Sequence, residues 1–277
     1  LSSIWSKSRF RRFQACRREY FLHYFTANAK HAVPDSAEFA EVWQLKQLVP
    51  LEWYFYRLFR QTLHNVWQNG RVGAESPYAV LHRELWRQWA IDRINHQAEF
   101  QEVYYGEMTL PAAMQIGEAL LTQYLKTFKH SELAKFIGKN HQVLPLALPL
   151  SFPLNGTQIY LSPWGASYAE DGYRLSFLSG VDNPLDAVLG QFYLLMQFGA
   201  APDKTTVDFY DLHTGNRRIC PPEELNFTAA VERIELESLQ MTAEIPPDII
   251  ASQAYFALAA HPEHCAACRF RQLCQTR

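Results

Sequence analysis

Residues 157–180 read TQIYLSPWGASYAEDGYRLSFLSG, and their patterning decides the fold. Two strand-like runs, 157–168 and 173–180, are joined by the turn sequence EDG at 170–172. Just upstream, residues 143–154 (VLPLALPLSFPL) form another apolar run, closed by the hairpin signal Asn155-Gly156. Downstream, residues 184–199 (PLDAVLGQFYLLMQFG) read as a helix and 205–214 (TTVDFYDLHT) as a further strand. The order is helix, three strands, helix, strand. A meander followed by a helix that crosses back onto the sheet predicts an α/β sandwich.

Working outward, the first half is mostly helical. Residues 6–27 predict one helix with Ser6 or Ser8 as N-cap. Phe10, Phe13, Cys16, Tyr20 and Tyr24 recur three and four apart and share a face, while Lys7, Arg11 and Arg18 form a basic ridge on another. Pro50 opens a helix that Gly70 would end, and residues 81–100 and 111–128 are helical again. A last helix covers about 222–240. The whole chain, 1–277, reads as a single domain with residues 28–140 as a helical insertion.

Apolar residues make up 48% and aromatics 14%, enough for a buried core and unlike a disordered chain. The formal net charge of -2 gives no global attraction to nucleic acid or membrane, so such binding must come from local patches. No apolar run approaches the roughly 20 residues that span a bilayer, and the start of the chain lacks a secretory pattern. The expectation is a cytoplasmic protein with no membrane partner. In a reducing compartment, clustered cysteines suggest a metal site rather than a disulfide framework.

Three of the five cysteines fall in Cys265-x2-Cys268-x5-Cys274. A closed metal site needs a fourth ligand. Cys16, on the apolar stripe of the first helix, is the candidate; Cys220, in RRICPP, reads as a small buried residue. Spacing alone leaves zinc and iron–sulfur both open.

The two ends together resemble the iron–sulfur subset of the PD-(D/E)XK nuclease superfamily. That subset includes the RecB-type exonuclease domains, the AddB-like subunits of bacterial helicase–nucleases and the cluster-bearing CRISPR-associated exonucleases. Its N-terminal pattern, close to Ser-x-Ser-x-Leu-x-x-Tyr-x-x-Cys-Pro-x-x-Phe-x-x-x-Tyr, is matched by Ser6, Ser8, Phe10, Phe13, Cys16, Tyr20 and Tyr24, with Arg17 replacing the proline. The C-terminal cysteine spacing matches without gaps. The resemblance implies a restriction-endonuclease-like αβββαβ core sheet flanked by helices. It also implies a [4Fe-4S] cluster on Cys16, Cys265, Cys268 and Cys274, with residues 265–277 as a C-terminal clasp.

The same resemblance implies Mg²⁺ held by carboxylates in Gly-x-x-Asp and Asp-Tyr-Lys-Thr-Gly motifs, the metal activating water. Here Tyr168 stands for the first aspartate, Ser176 for the second and Leu178 for the lysine. Downstream Gln191 is kept but Leu195 replaces a tyrosine; upstream the family's Gly-x-x-x-His motif is kept only in part, as His64 after Arg60, and a lone helical histidine reads first as an ordinary polar or half-buried residue. Glu170, Asp171, Asp182 and Asp186 lie near the lost positions, but turns and helix starts account for acids there. Removing one electrostatic stabiliser costs about 10²–10³ in rate, so this set predicts a pseudo-nuclease with no Mg²⁺ at the degenerate site.

Three functional expectations follow. The first is single-stranded DNA binding through Lys7, Arg9, Arg11, Arg12, Arg17 and Arg18, with aromatics for stacking. The second is an active DNA exonuclease or endonuclease with relocated carboxylates. The third is a protein-interaction subunit of a DNA-repair or defence assembly.

Overall fold

The structure, a computed structural model, describes residues 3–29, 37–68, 75–94, 99–137, 142–169, 172–178, 184–220, 226–243, 256, 259 and 262–275. Gly70, Glu170, Asp171 and Asp182, singled out above, lie outside the described residues.

Strand β1 (Ser3–Trp5) leads into α1 (Lys7–Ala15) and α2 (Arg17–Phe21), a π turn (Leu22–Thr26) and α3 (Ala27–Ala29). Ser6 is the N-cap, its hydroxyl accepting from the Arg9 N–H at 3.2 Å. The single helix expected over 6–27 is interrupted at Cys16, whose φ of -159° and ψ of 112° are extended. Its sulfur accepts from the Glu19 N–H at 3.4 Å, so Cys16 ends α1 and caps α2. The apolar stripe survives the break because Phe13 and Tyr20 meet edge-to-face at 5.3 Å. The basic ridge does not survive it: Arg18 turns away to the Phe256 carbonyl.

Helices α4 (Ala37–Gln47), α5 (Leu51–Gln68), α6 (Pro77–Ile94), α7 (Gln101–Tyr104), α8 (Leu110–His130) and α9 (Glu132–Ile137) follow. Sequence patterning missed α4. Gly117 of α8 lies where an added Cβ would overlap the ring of Phe55, which is fully buried in α5. That missing side chain sets how closely the two helices pack.

The apolar run 143–154 is two strands, β2 (Gln142–Leu144) and β3 (Leu150–Leu154); the run 157–168 is also two, β4 (Thr157–Leu161) and β5 (Gly165–Ala169). Pro145, Pro149 and Pro163 lie in the gaps, where a missing N–H would otherwise cost a ladder bond. Pro153 sits inside β3 because that strand is an edge. The Asn155-Gly156 turn forms as expected, with φ of 44° and 79°. Then come β6 (Gly172–Leu178), α10 (Pro184–Phe198), β7 (Thr205–Tyr210), β8 (Arg217–Cys220) and α11 (Phe227–Ala243), and finally α12 (Pro262–Ala267) and α13 (Arg271–Gln275).

The strands build two sheets, ordered β2-β5-β6-β7-β8 and β1-β4-β3. In the larger, β6 and β7 are parallel across the α10 crossover and the other neighbours are antiparallel, so the sheet is mixed. Leu175, Phe177, Val207 and Phe209 point to one face, where Leu185, Val188 and Leu189 of α10 cover them. Leu178 and Tyr210 point to the other, into a core shared with α5, α6, α8 and α9. The helical stretch read as an insertion is therefore the second cover of the sheet. This is an α/β fold in which both faces of the larger sheet are buried.

Gly117→Val forces three carbons into the space of the Phe55 ring, and overpacking of this kind costs about 1–3 kcal/mol. We expect a fall of that size in denaturant unfolding.

Candidate functional site

Cys16 comes from the α1–α2 junction, Cys265 from α12, Cys268 from the turn after it and Cys274 from α13. All four line one cavity of about 100 Å³, with Glu19, Leu22, His264 and Phe270 among its other walls. The structure thus brings together the four residues expected to form a site, although Cys16 and Cys265 are far apart in the chain.

Local backbone geometry aims donors at two of these sulfurs. The Glu19 N–H points to Cys16 Sγ and the Phe270 N–H to Cys268 Sγ, each at 3.4 Å. Burial nevertheless pushes both thiols up, Cys268 to about 12. A metal binding these sulfurs would displace their protons.

Glu19 is the polar hub beside the cavity. It is buried, accepts from Arg12 Nε at 2.9 Å and lies 2.8 Å from His264 Nε2. Further contacts brace the clasp. Gln101 donates to the Ala267 carbonyl at 2.7 Å, Tyr105 to that of Arg269 at 2.6 Å, and Arg269 to that of Lys46 at 2.9 Å. The Arg271 guanidinium stacks 3.7 Å from the Tyr105 ring. Phe270 is fully buried in a separate small core with Leu22, Ala27, Val42, Leu45 and Leu48.

The donor chemistry fits an all-thiolate group. Among the described residues, no set of three or more His, Cys, Asp or Glu side chains is gathered tightly enough to hold one ion. What the four cysteines surround is a cavity.

The second expected site lies on the larger sheet. Ser176 and Leu178 share a face of β6, both buried. Tyr168 does not join them. It pairs with Tyr173, three residues from Ser176, and side chains alternate along a strand, so Tyr168 projects from the opposite face. There it is 41% exposed and packs 4.8 Å from the Tyr173 ring. The residue across from Ser176 is Gly165.

Aromatic rings fill the space in front of Ser176 and Leu178. Trp67 lies so close to Gly165 that a Cβ there would meet its ring at 3.1 Å. Trp164 packs 5.5 Å from Trp67, and Tyr210 lies 6.4 Å from Trp164. His64 Nδ1 sits 2.6 Å from the Trp164 carbonyl, so that nitrogen carries the hydrogen. Burial lowers its pKa, leaving a neutral ring. Tyr56 donates to the Leu178 carbonyl at 2.7 Å.

Sequence reading passed over Asp208, the cross-strand neighbour of Ser176. This carboxylate is fully buried between Arg217, 3.0 Å away, and Arg174, 3.4 Å away. Burial pushes its pKa up against the pull of the two guanidiniums. An acid inside an apolar strand was the available signal. Its lone pairs are committed to arginines rather than open to a cation.

The other singled-out residues scatter. Asp186 pairs with Lys7 at 3.3 Å, and Gln191 donates to Thr205 Oγ1 at 2.9 Å. Leu195 is exposed. Arg9 lies 4.3 Å from the Tyr24 ring and donates to the Tyr20 hydroxyl, Arg12 binds Glu19, and Arg18 holds Phe256. Arg11 and Arg17 are exposed, the latter over Phe13 at 5.1 Å. Most of the basic set therefore braces the N-terminal helices.

No protein-family model matches the chain, and no curated protein is significantly similar to it in sequence. Among the described residues, no helix is long and apolar enough to cross a membrane.

Asp208→Ala leaves two guanidiniums beside the sheet without their anion. Breaking a buried pair costs about 3–5 kcal/mol, and the partial exposure of both arginines places this case near the lower end. Thermal melts of the variant should show that loss, with Asp208→Asn less affected because its amide oxygen still accepts.

Proposed function

We propose that this chain is a catalytically inert relative of the PD-(D/E)XK nucleases, closed by an iron–sulfur clasp, that binds single-stranded DNA or scaffolds a DNA-processing complex. The observation that carries the reading is the convergence of Cys16, Cys265, Cys268 and Cys274 on one cavity. An iron–sulfur cluster bound there supplies metal–thiolate bonds that join the two ends of the chain. Structural metal sites contribute roughly 10 kcal/mol, well above the logarithmic entropy cost of closing a long loop.

Two features support the nuclease relation. Strands β2, β5, β6 and β7 and helix α10 follow the strand, strand, strand, helix, strand order that the resemblance implies. His64 lies beside the strand that carries the family's first carboxylate position. Loss of catalysis is supported by Ser176 and Leu178 and by the rings packed against their face. A scaffolding role draws on the exposed Met196 of α10 and Leu236 and Leu239 of α11.

The test uses anaerobically purified protein. Wild type should contain iron and show a thiolate-to-iron absorption band; Cys16→Ala should lose both and melt at a clearly lower temperature. Unchanged iron content in that variant would remove the clasp from the reading. End-labelled single-stranded DNA incubated with Mg²⁺ or Mn²⁺ should stay intact, and metal-dependent cleavage would overturn the inert assignment.

A further inference from the structure

A cavity of about 640 Å³ runs along α5, with α6 and the loops beside β3 and β4 as its walls. Its size lies within the roughly 300–1,000 Å³ typical of small-molecule sites. Trp53, Tyr56, Arg57, Arg60, Gln61 and His64 line it at helical spacing.

The lining combines a flat apolar surface with cations. Trp53 is 52% exposed, unusual for a tryptophan, and Arg57 stacks 4.8 Å from its ring. Among the described residues Arg57 has no carboxylate partner. Arg60 is anchored through Nη2 alone, to the Ser162 and Pro163 carbonyls at 2.7 and 3.0 Å. His64 donates from Nδ1 to Trp164, so its Nε2 keeps a lone pair as a hydrogen-bond acceptor. Among the described residues the one lining acid is Asp92, which is buried and accepts from the Tyr54 hydroxyl at 2.7 Å and the Gln88 amide at 2.8 Å.

We propose that this cavity binds a nucleoside phosphate unit, with the base against Trp53 and the phosphate on Arg57 and Arg60. Aromatic faces accept bases of any sequence, and guanidiniums suit phosphate oxygens. The His64 lone pair can accept from a base amino group or a sugar hydroxyl. The inference rests on the nucleic-acid arm of the reading above and moves the contact surface from the N-terminal arginines to α5. The unit is either a free mononucleotide or one link of a single strand.

The test is fluorescence anisotropy with a labelled oligothymidylate, titrated with the full chain at low salt. Unlabelled oligothymidylate, thymidine monophosphate and oligoglutamate serve as competitors. Trp53→Ala and Arg57→Ala should each weaken binding about tenfold or more, while Trp53→Phe retains most of it. Trp53 is exposed and Arg57 half-buried, so melting temperatures should shift little and the variants should stay folded under the binding conditions. Competition by the mononucleotide identifies the free ligand as the source; competition by oligonucleotide alone identifies the strand. Absence of binding at low salt would overturn the proposal, as would equal competition by oligoglutamate, which would indicate an acidic-peptide groove. Binding that the α5 variants leave unaltered would overturn the α5 site and keep the DNA-binding reading. Strand cleavage in the same samples would bear only on the inert assignment.

Discussion

A five-stranded mixed sheet with apolar side chains on both faces must be covered twice, and the rest of this structure follows from how that is done. The crossover helix α10 takes one face as a consequence of the parallel β6–β7 pair. The other face is closed by helices that precede the sheet in the chain, from α9 next to β2 back to α5, brought down by Trp67 on Gly165 and by the Phe55–Gly117 contact between α5 and α8. This second closure buries Ser176 and Leu178 beneath aromatic rings. The space in front of that face of β6 is occupied by the indole rings of Trp67 and Trp164 and the phenol ring of Tyr210.

Charge inside this region obeys the same constraint. Asp208 remains ionisable in a wholly buried position because Arg174 and Arg217 flank it, and Arg174 in turn stacks 5.1 Å from the Phe136 ring. Tyr210 adds its hydroxyl at 3.4 Å. The cluster joins β6, β7 and β8 through side chains as well as ladder bonds.

The hairpin at Asn155-Gly156 and the crossover helix were legible from local chemistry, a turn dipeptide and a helical period, and cysteine spacing singled out the four cysteines that meet at one cavity. What the sequence hid depended on partners. Whether residues 143–154 make one strand or two depends on which sheet each end joins, and the prolines in the gaps only hint at it. Motif spacing placed Tyr168 with Ser176, but register sets the face, and Gly165 is the residue opposite. Cys16 was identified as a ligand candidate, yet its place at a helix break reflects a sulfur-to-backbone bond that periodicity does not encode. Arg18 looked like part of an exposed ridge because its acceptor, the Phe256 carbonyl, is distant in the chain.

Phe270 sits in a small core whose other members come from the π turn, α3, α4 and the residue after α4. The tail that carries three cysteines is therefore seated on the early helices, with Gln101 and Tyr105 holding its backbone. Neither part is modular. A chain that shed α4 and the 99–107 segment would lose the seat of its own C-terminus, and one that shed the tail would expose the apolar floor beneath it. Removing either part alone would expose the apolar surface that the other covers, so the early helices and the cysteine tail fold as one unit.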